Sequence, residues 1–301
     1  MVLLRLLIAC AAVSVSMIGC AATPSQTDMS RDQSIDQQLA SDLALVGRTR
    51  VFFGHKSVGG NIVEGLQELS RMAGAPTIKL ASLGSGEAPR GPVFLEAEIG
   101  ENGRPLTKLD AFAEDLDRLG PGAVSVAVMK FCYLDFLADS QPDQIFAAYV
   151  ERIAQLQSRY PQTVFVHVTT PLKAPEGVKG FVKKIIGRDP KADNVRRNQY
   201  NALLRRRFAK TSIYDLAALE STGRDGTRSL FQMSGHSYEQ LSLDYSSDGG
   251  HLNAPGRQMA ARALIDALAT AVRSTPGLSA RLAGTSDDEA AASGPGSPAA
   301  R

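Results

Sequence analysis

Val51–Leu66 reads VFFGHKSVGGNIVEGL. A short apolar run leads into a Gly-rich turn, and beyond it Ile62, Leu66 and Leu69 recur at the spacing of one helix face. The stretch is a strand, a tight turn and a helix, the unit from which parallel α/β sheets are built. Ser57 lies in the turn, where an α/β enzyme presents a nucleophile. The same position suits a serine that caps the helix N-terminus.

Working outward, the pattern repeats. Strands are predicted at Arg50–Phe53, Ile78–Ala81, Ala123–Met129, Thr163–Val168 and Ser212–Asp215. AVSVAVM, residues 123–129, is apolar enough for a strand buried on both faces. Helical patterns fall at Gln144–Arg159, Asn194–Phe208 and Pro255–Val272. The expected fold is α/β, with three layers and a five-stranded parallel sheet carrying helices on both faces. Right-handed crossovers leave the strand C-termini along one edge, where ligands bind such sheets. The residues following each strand are therefore the ones to inspect.

The segment Asp248–Gly256, DGGHLNAPG, precedes the last amphipathic helix. Asp248 and His251 stand three apart on a loop, so one carboxylate can orient an imidazole whose other nitrogen faces a serine. An imidazole accepts the serine proton near neutral pH, and the carboxylate fixes its tautomer. This block resembles the Asp-x-x-His block of the SGNH/GDSL hydrolases, which have a flavodoxin-like fold. The resemblance implies a serine triad of Ser57, Asp248 and His251. Where that family has Gly-Asp-Ser after its first strand, this chain has Gly54-His55-Lys56-Ser57, similar to a Gly-His-x-Ser-Val-Gly form of the block. The family's oxyanion donors, a glycine amide after the second strand and an asparagine after the third, point to Gly84 or Gly86 for the first. No Gly-x-Asn-Asp follows the third strand, which leads instead into Lys130-Phe131-Cys132-Tyr133-Leu134-Asp135. Lys130, Tyr133, Asn61 and the Ser57 amide are the candidates to replace the asparagine.

His55, Asp135 and His236 are candidates to line the substrate pocket; Lys130 and Asp135 could equally form an ion pair. His167, inside a strand, reads as packing, and Cys132 as a small buried residue. No His or Cys pair has a metal-site spacing, so neither metal nor cofactor is expected.

The chain opens MVLLRLLIACAAVSVSMIGC, an export signal by its single early Arg5 and short apolar stretch. Met17-Ile18-Gly19-Cys20 resembles a bacterial lipobox, which implies cleavage before Cys20 and its lipidation. Residues 1–19 are then the signal peptide, 20–45 a polar tether, 46–273 the hydrolase-like domain and 274–301 a disordered tail. Once Cys10 leaves with the signal and Cys20 is acylated, Cys132 has no intrachain disulfide partner. The expected location is the bacterial cell envelope, lipid-anchored at the periplasmic face of the outer membrane. Net charge is +2, yet Lys173–Lys210 carries 12 Lys/Arg against 3 Asp/Glu. That segment suits anionic glycan or lipid headgroups, or is simply a solvated helix. For an exported chain without a recognised binding motif, nucleic acid is not an expected partner. The expected activity is an ester hydrolase acting on glycan or lipid. An O-acyltransferase and a non-catalytic binding lipoprotein on the same scaffold are the alternatives.

Overall fold

The first strand, β1 (Arg50–His55), is buried from Val51 onward and pairs on both sides. The computed structural model describes residues 26–72, 78–84, 87–174 and 190–282. Six parallel strands run in the order β2-β3-β1-β4-β5-β6, with β2 at Leu80–Ser82, β3 at Val93–Glu98, β4 at Val126–Met129, β5 at Val164–Val168 and β6 at Ile213–Tyr214. An antiparallel hairpin, β7 (Leu230–Met233) and β8 (His236–Glu239), stands apart from this sheet.

The sheet has six strands where five are expected. The additional one is β3, VFLEAE, inserted between β1 and β2. Glu96 and Glu98 break its apolar pattern, although Val93, Phe94 and Leu95 are buried. Its placement moves the edge of the sheet away from Ser57, with consequences for the site.

Alternation along the strands divides the core into two layers. Val51, Phe53, Val126 and Val128 face α1 (Gln26–Gly47), α2 (Val58–Met72) and α7 (Ala254–Arg273). Phe52, Ala127 and Met129 face α3 (Pro105–Leu119), α4 (Pro142–Arg159) and α5 (Pro190–Arg207). A short helix, α6 (Leu216–Glu220), follows β6.

Residues outside the expected limits 46–273 also pack on the core. The compact unit begins at Gln38, inside the expected tether, because Leu39, Leu43 and Val46 form a helical stripe on α1 that packs on the core. Leu278 is buried in the same layer, beyond the expected boundary at residue 273. The signal peptide, Cys20, Gly86, residues 175–189 of the basic segment and the tail from residue 283 lie outside the described residues. No helix among the described residues is long and apolar enough to cross a membrane.

What brings Ser57 and His251 together is the contact between α2 and α7. At Gly65 the helices approach so closely that a Cβ would lie 2.4 Å from the Arg257 carbonyl oxygen and 2.9 Å from the Ala261 Cβ. Arg257 also reaches Glu68 at 2.9 Å. Gly65→Ala is expected to lower unfolding free energy by about 1–3 kcal/mol, the usual cost of overpacking. Gly60→Ala, on the same helix with open space around it, is expected to raise it by about 0.5–1 kcal/mol. Urea denaturation of both variants checks the pair.

Candidate active site

Ser57 follows β1 after one intervening residue and immediately precedes α2. Its φ is 55°, in the left-handed region, a conformation shared among the described non-glycine residues only with Ser234. A side chain held there costs about 1–3 kcal/mol and persists only where neighbours over-determine it. The turn is closed by the Gly59 amide donating to the Lys56 carbonyl at 3.1 Å and the Gly60 amide to the Ser57 carbonyl at 2.8 Å. Capping serines take extended backbone instead. The Ser57 hydroxyl accordingly turns outward, where its Oγ lies 2.9 Å from His251 Nε2.

The loop before α7 builds the other half. Asp248 Oδ2 lies 2.7 Å from His251 Nδ1, while Oδ1 accepts the amides of Gly250 and His251, each at 2.8 Å. Ser246 Oγ donates to the His251 carbonyl at 2.7 Å and accepts the Gly249 amide at 3.0 Å. Gly249 takes φ 81°, which a tight loop of this kind reserves for glycine. Asn253 caps α7 by accepting the Gly256 amide. Burial opposes ionisation of Asp248, but the His251 side chain and the His251 and Gly250 amides outweigh it and hold the carboxyl well below the usual carboxylate range. An ionised Asp248 keeps the proton on Nδ1, leaving Nε2 as an acceptor toward Ser57.

Tyr133 closes the site from β4. Its hydroxyl lies beside Ser57 and against Gly250, where a Cβ would sit 3.2 Å from it. The ring meets His251 edge-on at 6.0 Å between centroids, with the Arg197 guanidinium 5.8 Å and the Lys173 ammonium 5.3 Å from its centre. Burial pushes the Tyr133 phenol up, so at neutral pH it is an O–H donor.

The remaining predicted residues are placed elsewhere or do other work. Lys130 is fully buried, donates to the Phe131 carbonyl at 3.0 Å, and is lowered by burial to about 8. Facing the interior, it is no oxyanion donor. Asp135 is likewise interior and pairs with Lys108 of α3 at 2.5 Å rather than with Lys130; it also accepts the Cys132 and Gly103 amides. Gly84 follows edge strand β2, separated from β1 by β3, and its carbonyl accepts from Arg118 at the end of α3. Asn61 accepts the Leu252 amide at 3.1 Å, tying α2 to the His251 loop. His55 is buried against Glu96 and does not line the pocket. His236 is exposed on the β7–β8 hairpin, where its ring meets Tyr238. Both expected interior residues are buried: His167 bonds Tyr149 through Nδ1 at 2.8 Å, and Cys132 is a free thiol. Among the described residues no group of three or more His, Cys, Asp or Glu could hold a metal ion.

Sequence reasoning missed Glu96, Lys108 and Ser246. Glu96 sits on the unrecognised strand, and Lys108 lies 27 residues from its partner. Only Ser246, two residues before Asp248, carried a local signal as a polar turn residue.

No family model matches the sequence, and no curated protein matches it. Among solved structures the chain is similar to a GDSL-like lipase from Bacteroides thetaiotaomicron VPI-5482, at 13% identity and TM-score 0.45, covering 78% of this chain and 97% of that one. It is similar to a peptidoglycan O-acetylesterase at 13% identity and TM-score 0.40, over 62% of this chain and 48% of that one. It is also similar to the C-terminal domain of Drosophila Oskar, at 12% identity and TM-score 0.35, over 72% of this chain and 86% of that one. The parallel sheet between two helical layers is the three-layer α/β arrangement that the sequence led us to expect.

Proposed function

We propose that this chain is a serine ester hydrolase of SGNH/GDSL type. The observation that carries the reading is the continuous line from Ser57 Oγ to His251 Nε2, at 2.9 Å, and from His251 Nδ1 to Asp248 Oδ2, at 2.7 Å. Ser57 attacks an ester carbonyl as His251 takes its proton. The tetrahedral intermediate collapses, its alcohol leaves with that proton, and a water activated by the same imidazole hydrolyses the acyl-enzyme. The oxyanion donors are the Tyr133 hydroxyl and the Ser57 amide, the latter at the positive end of the 15-residue helix α2. Tyr133 thereby takes the role that an asparagine has in the usual family pattern.

The proposed substrates are ester-linked acyl groups, acetyl included, on envelope glycan, with lipid esters next. The proposed setting is the bacterial cell envelope, where acylated Cys20 tethers the domain to the periplasmic face of the outer membrane. A sugar hydroxyl replacing water in the second step would make the same site an O-acyltransferase. Release of acyl groups in water alone separates the two. A non-catalytic binding lipoprotein would give no reason to hold Ser57 in a costly backbone conformation beside an imidazole.

A fluorophosphonate probe is expected to label the wild type and not Ser57→Ala; a folded wild type that neither takes the label nor cleaves short acyl esters refutes the reading. Asp248→Asn is expected to lower kcat by about 10⁴, because the amide no longer enforces the tautomer. Since Asp248 stays ionised far into the acid range, its own protonation is expected to add no acid limb to the dependence of kcat/KM on mildly acid pH, which a pH–rate profile checks. Tyr133→Phe keeps the ring and removes one donor, with an expected loss of about 10²–10³ in kcat.

A further inference from the structure

His55 was expected at the substrate, yet it is 2% exposed and faces the layer of α2. Phe53, two residues earlier on the same face of β1, lies beside it with centroids 4.8 Å apart and ring planes tilted by 34°. Its Nε2 lies 2.9 Å from Glu96 Oε2, and the other Glu96 oxygen accepts from Ser82 Oγ. One carboxylate therefore ties together the ends of β2, β3 and β1. The His55 hydrogen bond, opposed by burial and helped by Ser82, holds the Glu96 carboxyl below its usual range, so it remains an anionic acceptor.

The opposite side of the imidazole presses on the first turn of α2. A Cβ at Gly59 would lie 2.3 Å from the His55 Cβ, 2.4 Å from Cγ and 2.6 Å from Nδ1. The His55 side chain, Cβ and ring together, thus fills the space that a side chain at residue 59 would need, and the buried Nδ1 has no hydrogen-bond partner. A ring inserted at the cost of an unsatisfied nitrogen is there for its shape. Residues 55 and 59 are fixed against each other, and the three residues between them must close the turn. They close it with Ser57 at φ 55°.

We infer that His55 and Glu96 form a positioning dyad, in which the Glu96 carboxylate holds the imidazole as a wedge under α2 and the wedge holds Ser57 in the strained conformation that aims its hydroxyl at His251. The assignment rests on the hydrolase reading only in naming Ser57 as the nucleophile. Neither dyad residue touches substrate.

A double-mutant cycle tests it. His55→Gly and Gly59→Ala are each expected to lower kcat by about 100-fold with KM unchanged, since misplacement by about 1 Å costs that much. The double variant is expected to be no worse than either single, because removing the His55 Cβ together with the ring makes room for the new methyl group. Glu96→Gln, which keeps the size of the side chain, is expected to lower kcat in the same direction by a smaller factor. The His251 ring-nitrogen resonances, which report the Ser57 hydrogen bond with or without turnover, are expected to shift in all of these variants. Wild-type kcat in folded His55→Gly, or losses that add in the double variant, would overturn the dyad. If His55→Gly does not fold, wild-type kcat and unshifted His251 resonances in Gly59→Ala and Glu96→Gln do the same. A wild type without esterase activity sinks the hydrolase reading separately, and the resonance shifts in Gly59→Ala still decide the dyad.

Discussion

Everything at this site depends on how closely α2 and α7 can approach. Ser57 enters from the first strand and His251 from the last loop, 194 residues apart in the chain. No local interaction can set the distance between them. It is set by Gly65, which lets the backbone of α7 come against α2, and then locked by Arg257 on Glu68 and by the Leu252 amide on Asn61. A hydrogen bond of 2.9 Å between side chains of such separate origin is a consequence of helix packing. The same packing explains why the apolar stripe of α1 belongs to the domain, since Leu43 and Val46 complete the layer from which both helices hang.

The second constraint is the buried charge behind the site. A buried ion pair stabilises little unless its remaining valences are satisfied. Asp135 meets that condition, with Lys108 on one oxygen and the amides of Cys132 and Gly103 completing the set. Its effect is geometric. The 3₁₀ turn Tyr133–Asp135 is pinned between β4 and the loop after β3, and this aims the Tyr133 phenol at Ser57. Arg197 adds to the hold by donating to the Tyr133 carbonyl at 2.9 Å while its guanidinium faces the ring. Two described arginines of the basic segment are spent inside the fold: Arg197 is interior, and Arg205 pairs with Asp215 and Glu239.

How much of this was legible in the sequence follows from the range of each interaction. Asp248, His251 and Ser246 act within one loop, and Ser57 sits at a strand-to-helix turn whose signals are local. The alternation of strands and helices was equally plain, because buried parallel strands read as apolar runs. Strand β3 was not, since Glu96 and Glu98 look like surface residues until Glu96 is seen to receive His55 and Ser82 from its neighbours. Missing β3 then misplaced Gly84, which was expected beside Ser57 and instead follows the edge strand. Asp135 was paired with the wrong lysine for the same reason: Lys130 is near in sequence, whereas Lys108 is near only once α3 packs under β4.

The segment from Gly54 to Gly59 has a physical explanation residue by residue. Gly54 carries no side chain because a Cβ there would sit 2.8 Å from the Phe112 ring and 2.9 Å from Ile99. Val58 is fully buried under the sheet. His55 and Gly59 are a matched pair, ring against vacancy, so neither can change alone without moving the turn. An aspartate beside the serine, as in the more usual form of the block, could not fill that space from position 56, whose side chain instead reaches outward to Glu98. The chain thus holds a strained serine facing a histidine through the packing of Gly54, His55 and Gly59 around it.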